Sequence, residues 1–299
     1  MKLDDLITGR EPGVIFAEVK LVTSTYQPKF IFALLENIFA DVVRLFNGDY
    51  PGYRACNTWY HDLDHTLDCF LAMARLLHGA ALNAVPLSAK DVELGLIAAL
   101  MHDTGYIQQA QDREGTGGKY TLFHIDRSIA FMEHYFGQNG FKREDLSHCC
   151  NFLKCTGLNV KIGDIDFPSP EHETIGKILG AADLLGQMAD SSYLEKLPFL
   201  YQEFAEGGVP GFQDELDLLK KTPAFWEFTQ QRLAGELGGV ADYGRDHFRQ
   251  RWGIDRNLYV ESVEANISYL QFVLNNCASD YRHYLNRRAL IQFVRQKAV

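Results

Sequence analysis

"FIFALLENIFADVVRLF", residues 30–46, sets the period that decides the fold. Apolar residues recur at positions 30, 31, 34, 35, 38, 39, 42, 45 and 46, the spacing of one face of an amphipathic helix. Working outward, the same period predicts a helix from Thr58 to His78, ending before Gly79. Another opens at Ser88, where Asp91 completes a capping-box pattern, and runs through "LGLIAALMHD" to Gly105. Helical patterns follow over residues 121–136, 143–156 and 171–190, with "GQNG" (137–140) and "FPSP" (167–170) as breaks. Only "GVIFAEVKLV", 13–22, suits a strand as well as a short helix. "EGGVPG", 206–211, divides a helical core with N-terminal helices, residues 1–205, from a C-terminal helical section, 206–299, packed on that core. Within that section Thr222 before Pro223 marks a helix start. The expected fold class is all-α.

Composition limits the partners. The chain has 299 residues, 46% of them hydrophobic and 12% aromatic, enough for one large domain or a core with an appendage. No apolar run of about 18 residues and no basic-then-apolar leader occurs, so neither a membrane span nor a secretory signal is expected, and the cytoplasm is the expected location. A net charge of -10 argues against a polynucleotide partner, which needs a basic footprint. A small phosphate ester is not excluded, because a bound metal can neutralise its charge locally. Six cysteines without a C-x-x-C pair fit buried, reduced thiols better than a disulfide framework or a thiolate zinc site.

Three stretches carry chemistry. In "NTWYHDLDHTLDCF", 57–70, His61 and His65 stand four apart, which on a helix places them on one face. Zinc proteases use that geometry in H-E-x-x-H, but Asp62 here is one methylene short of the glutamate base. An ordinary polar helix face is the plain alternative. In "LIAALMHDTGY", 96–106, an apolar helix ends in adjacent His102 and Asp103. A buried charge is costly without a partner. Either a divalent cation or a simple Asp–His hydrogen bond answers that cost. In "ILGAADLLGQMAD", 178–190, Asp183 sits among alanines and leucines, whereas Asp190 near the helix end suits solvent. A cation, a hydroxyl or a backbone amide could each satisfy Asp183.

Taken in order, H…HD…D on three separate helices resembles the HD-domain superfamily of metal-dependent phosphohydrolases. The match is closest to the branch containing the class I cyclic nucleotide phosphodiesterases. "YHDLDHTLD" resembles their Y-H-N-x-x-H-x-x-D, "LIAALMHDTG" their helix ending in His-Asp, and "AADLLGQ" their late Ala-Asp-Leu. The likeness covers residues 57–190.

The resemblance implies an HD-domain helical bundle with additional N- and C-terminal helices, holding one or two divalent metal ions: magnesium, manganese, iron, nickel or zinc. It implies that His65, His102, Asp103 and Asp183 bind the first metal and that Asp103 bridges to a second. His61 matches the histidine that protonates the leaving oxygen, and Asp68 an aspartate that supports the histidines. Tyr60 matches too, with a packed aromatic as its plain alternative. The family pattern has Asn where this chain has Asp62, and its H-D-x-D-H is here "HDTGY". No residue aligns with its purine-clamping glutamine, although Gln187 and Gln202 lie in that region. Cyclic nucleotide specificity is therefore not implied.

His124 is a candidate second-metal or phosphate contact by its place in the order. Arg127 suits a phosphate or a surface salt bridge. Lys119, in the glycine-rich "REGTGGKY" of 113–120, is a candidate for a position near substrate. The expected function is a metal-dependent phosphohydrolase acting on a small phosphate ester, nucleotides and cyclic nucleotides included. The alternatives are a di-iron oxygenase on the same fold and a non-catalytic ligand-binding module.

Overall fold

A computed structural model describes residues 1–286. Among these the regular elements are helical: α1 Pro12–Tyr26, α2 Ala33–Asn47, α3 Leu63–Leu82, α4 Ala89–Met101, α5 His124–Gln138, α6 Arg143–Lys154, α7 Pro170–Ala189, α8 Tyr193–Glu206, α9 Glu215–Ala234, α10 Tyr243–Trp252, α11 Leu258–Asn276 and α12 Tyr281–Leu285. The described residues hold no β-strand, only an isolated bridge between Tyr53 and Gln109. The protein is all-α. Residues 13–22 resolve to helix, inside α1.

The core forms around α3, which is buried on nearly every side from His65 to Ala80 and packs against α1, α4, α7 and α10. A helix apolar all round belongs in the middle of a bundle, and here it brings His65 inside with it. The C-terminal helices join the same core, since Phe248, Tyr259, Leu270 and Leu285 lie in one hydrophobic cluster with Ile15 and Phe70. The helical pattern expected to continue to residue 299 passes beyond the described residues.

Several boundaries differ from the sequence expectation: α4 ends at Met101 rather than running to Gly105, α5 opens at His124 rather than 121, and three others have a local reason. α3 begins at Leu63 rather than Thr58, because Asp62 acts as its N-cap and accepts the His65 amide at 2.9 Å. At its other end α3 runs through Gly79 to Leu82. Gly79 is needed there for contact rather than for a stop: a Cβ would stand 1.9 Å from the Tyr243 carbonyl oxygen of α10. Pro223 lies within α9 rather than at its start, since Asp214 supplies the cap by accepting the Asp217 amide at 2.8 Å. The other expected signals act as the chemistry suggests. Ser88 and Asp91 form the capping box of α4, and Ser169 with Pro170 opens α7.

Candidate metal centre

Three helices deliver four ligand-type side chains to one point. His65 comes from the first turn of α3, Asp183 from α7, and His102 with Asp103 from the C-terminal end of α4. His65 Nε2 lies 3.0 Å from Asp103 Oδ2 and 3.2 Å from Asp183 Oδ1. His102 Nε2 lies 3.1 Å from His65 Nε2, 3.3 Å from Asp103 Oδ2 and 3.5 Å from Asp183 Oδ1. Donors about 2.0–2.1 Å from a common cation stand roughly 3–3.4 Å from one another. The ligand atoms of His65, His102 and Asp183 all lie within 4.8 Å of one another, a group that could hold a metal ion, and Asp103 Oδ2 adjoins both histidines.

The chemistry of the donors fits a cation as well. His102 Nδ1 faces the Ala99 carbonyl oxygen at 2.9 Å, so the neutral ring carries its proton there and turns the Nε2 lone pair into the cluster. Asp103 Oδ2 is buried without a hydrogen-bond partner. Two imidazole nitrogens and two carboxylate oxygens thus meet, and Asp183 Oδ1 alone of them receives a donor from outside the cluster, the Gln187 amide at 3.2 Å. In the absence of metal, protons join them. Burial opposes charge on His65, but the Asp103 and Asp183 carboxylates outweigh it and push the ring up to about 9. Burial likewise opposes charge on His102, and Asp103 beside it raises the ring well above the usual histidine range. The same contacts hold both carboxyls below the ordinary aspartate range despite burial. A divalent cation bound there would displace those protons.

A ring of further contacts orients the ligands. The Tyr60 hydroxyl donates to Gln187 Oε1 at 2.6 Å, and Gln187 Nε2 donates to Asp183 Oδ1 at 3.2 Å. Tyr60 is therefore more than a packed aromatic, and Gln187 is occupied by this chain of bonds. Ser128 of α5 donates to the His102 carbonyl at 2.6 Å and accepts the Gly105 amide at 2.8 Å. Gly105 permits that approach, because a Cβ would lie 1.9 Å from the His124 carbonyl oxygen. The turn after Asp103 is thereby pressed against the start of α5. His124 Nε2 comes to 3.7 Å from Asp103 Oδ1, the carboxylate oxygen that does not face His65 and His102.

His61 precedes α3 instead of sharing a helix face with His65, yet its ring centroid lies 5.7 Å from that of His65. The loop, not helical spacing, brings it there. Its Nδ1 is 2.6 Å from Oε2 of Glu203, a buried acid on α8. Glu203 Oε1 accepts the amides of Trp59 and Tyr60 at 2.9 and 2.8 Å. Tyr106 stacks on His61 at 4.3 Å and on His124 at 4.7 Å, so one ring spaces both histidines. His65, His102 and Asp103 are nearly inaccessible, whereas the side chains of Asp183, His61 and His124 are 13, 14 and 22% exposed. Solvent reaches the cluster from that side.

These site residues fall within one sequence family. The chain matches the model of the family described as Npun_R2479-like over residues 49–235. This chain belongs to the Npun_R2479-like family. The matched span includes every residue of the cluster and Glu203, and it ends before α10. No curated protein matches the chain.

Several sequence expectations need correction. Asp68 does not support the histidines; Arg10 holds both its oxygens at 2.8 and 2.6 Å, and His65 Nδ1 is buried without a partner. Asp190 is buried rather than solvated, and pairs with Arg10 at 2.5 Å. Asp62 caps its helix and pairs with Lys196 at 3.2 Å, which removes the protease-like base. Arg127 forms no salt bridge among the described residues. It donates to the Gly105 and Ile107 carbonyls at 2.7 and 3.0 Å and lies over Tyr120. Lys119 is tied to Asp112 at 2.6 Å. Glu203 escaped the sequence reading because it lies 142 residues from its histidine, and an acid near the end of an amphipathic helix is ordinarily solvated.

Proposed function

We propose that this chain is a metal-dependent phosphohydrolase that hydrolyses a small phosphate ester, with one or two divalent metal ions held by His65, His102, Asp103 and Asp183. The observation that carries the proposal is that the Nε2 atoms of His65 and His102 each lie 3.0–3.5 Å from Asp103 and Asp183, beside a histidine fixed by a buried carboxylate. The likeness of the H…HD…D order to HD-domain phosphohydrolases supports the same reading, and an HD-type bundle is part of the proposal.

When bound, the metal would stabilise charge on the phosphoryl oxygens and supply a nucleophile at neutral pH. The protein's own residues supply the remainder. Glu203 fixes the proton on His61 Nδ1 and the orientation of the ring, leaving Nε2 to hold a proton for the leaving oxygen. Tyr106 keeps His61 from turning away. The Tyr60–Gln187 pair orients Asp183, and the Ser128 contacts orient the His102–Asp103 turn. Asp103 Oδ1 with His124 Nε2 offers two donors to a second cation. No helix among the described residues is long and apolar enough to cross a membrane. The cytoplasm suits the six free cysteines.

The test is hydrolysis of a panel of nucleotides, cyclic nucleotides and generic phosphate esters by protein loaded with manganese, iron, nickel or zinc. Chelated protein serves as the control. Loss of every activity on chelation and its return with metal is expected; a fully loaded protein inert on the whole panel counts against the proposal. His124 also favours a second reading, a di-iron oxygenase, because it adds a histidine at the second position. Substrate-dependent oxygen uptake by the iron-loaded protein would support that reading instead.

A further inference from the structure

His65 and Asp183 come from α3 and α7, which pack directly on each other. Gly186 of α7 lies against the Asp68 turn of α3, where a Cβ would stand 3.0 Å from the Asp68 carbonyl carbon. That contact is three residues beyond His65 on one helix and three beyond Asp183 on the other, so each ligand stands about one turn from it. A close backbone contact sets the distance between two helices at one point. The angle between them depends on what joins them further along.

Arg10, just before α1, supplies a join beyond that contact. Its Nη2 donates to both oxygens of Asp68 at 2.8 and 2.6 Å, and its Nη1 to Asp190 Oδ1 at 2.5 Å. Asp190 directly follows α7, four residues after Gly186. One planar guanidinium thus ties the start of α3 to the end of α7. Among the described residues Asp68 has no other ion pair, and Lys196, 3.9 Å from Asp190, sits closer to Asp62 at 3.2 Å. Without Arg10, two largely buried carboxylates would face each other across the helix pair, at the cost of uncompensated charge. Burial pushes the Asp68 carboxyl up to about 7 even beside Arg10.

We propose that Arg10 is a positioning residue for the metal centre: by bridging Asp68 and Asp190 it fixes the angle between α3 and α7, and so holds His65 and Asp183 at ligand spacing. The inference rests on the reading of those two residues as metal ligands. Arg10 acts through the helices, whereas Gln187 acts on the Asp183 carboxylate itself. It also lies outside residues 49–235, the span the family model matches, so the brace reaches the site from the N-terminal side of that span.

The experiment measures zinc affinity by chelator competition on the full chain, with urea midpoints and amide hydrogen exchange of the chelated protein beside it. Arg10→Met should bind zinc about 10–100-fold more weakly, the usual effect of removing a residue that supports a ligand. Its amides at the start of α3 and the end of α7 should exchange faster. Arg10→Met/Asp68→Asn should bind no more weakly than Arg10→Met, because both changes break one link. Arg10→Lys keeps the charge but lacks the fork that spans two acids. It should show a smaller loss, and it decides the matter if Arg10→Met does not fold. A lower urea midpoint with unchanged zinc affinity would make Arg10 a stabilising residue only and overturn the proposal, as would additive losses in the double variant. A wild type that takes no zinc removes the metal reading and this role with it; a wild type that takes zinc as tightly as its Arg10 variants removes the role alone.

Discussion

Glu203 Oε2 stands 2.6 Å from His61 Nδ1, while Glu203 Oε1 takes the amides of Trp59 and Tyr60. A single buried carboxylate thus fixes both the loop that carries the histidine and the direction of its ring. A proton donor needs such restraint, because a ring free to rotate spends little time aimed at the leaving group.

Glu203→Gln keeps the shape but presents an amide N–H to Nδ1 if its oxygen stays on the two backbone amides. The ring then accepts at Nδ1 and loses the carboxylate that stabilises its doubly protonated form, so the proton left on Nε2 is held by a neutral ring, a far weaker acid. The rate should fall by roughly 10²–10⁴-fold with metal content unchanged. Elemental analysis beside kinetics checks this; equal activity in Glu203→Gln would make the contact structural only.

His102→Ala and Asp183→Ala should each lose metal and activity together, from a starting content of about one or two divalent ions per chain. Elemental analysis after incubation with manganese, iron, nickel or zinc gives the content. Stoichiometric metal in Asp183→Ala would show that this aspartate is not a ligand.

Gln187→Ala leaves every ligand in place yet removes the group that joins Tyr60 to Asp183. Metal affinity should drop by about 10–100-fold, the usual effect of removing a residue that orients a ligand. Chelator competition measures it. An unchanged affinity would mean that packing alone positions Asp183.

The proposed ligands stand out in the sequence because their neighbours make them anomalous: His102 and Asp103 follow an apolar helix, and Asp183 lies between alanines and leucines. The sequence shows the helices because their faces are periodic. It does not show Glu203 or the Arg10 pairing of Asp68, since neither spacing nor composition joins residues that meet only when distant helices pack. His61 illustrates the difference. Its partnership with His65 was read from helical spacing, but the Asp62 cap ends the helix before it, and a loop makes the same encounter.

His78 and His247 form a second buried pair, Nδ1 to Nδ1 at 2.9 Å, between α3 and α10. Burial, then the charge of Arg251, holds His78 down at about 4. Burial, then Arg75, His78 and Arg251, holds His247 well below the usual range. The Tyr26 ring of α1 covers the pair 5.8 Å away. The unfolded chain protonates both near pH 6.5, so between that pH and about 4 the unfolded state binds more protons. The contribution of this pair to folding stability therefore falls as pH drops from 7 to 5. In His78→Gln/His247→Gln the fall should be shallower, as read from urea midpoints; parallel declines would rule out this linkage.

His61 and His65 should fail differently when each is replaced by alanine. His65 Nε2 lies within 3.2 Å of Asp103 Oδ2, Asp183 Oδ1 and His102 Nε2, so His65→Ala opens the donor cluster. That variant should lose metal affinity and fail on all substrates alike. His61 touches Glu203 and Tyr106 but no ligand atom of the cluster, so His61→Ala should keep its metal. It should lose roughly 10²–10⁴-fold in rate on esters with poor leaving groups, where a proton is needed most. On a p-nitrophenyl phosphate ester, whose leaving group departs without protonation, the loss should be much smaller. Burial alone predicts no such split, because both rings sit within one packed region. Equal losses on the two ester types, or a metal-free His61→Ala protein, would remove His61 as the proton donor.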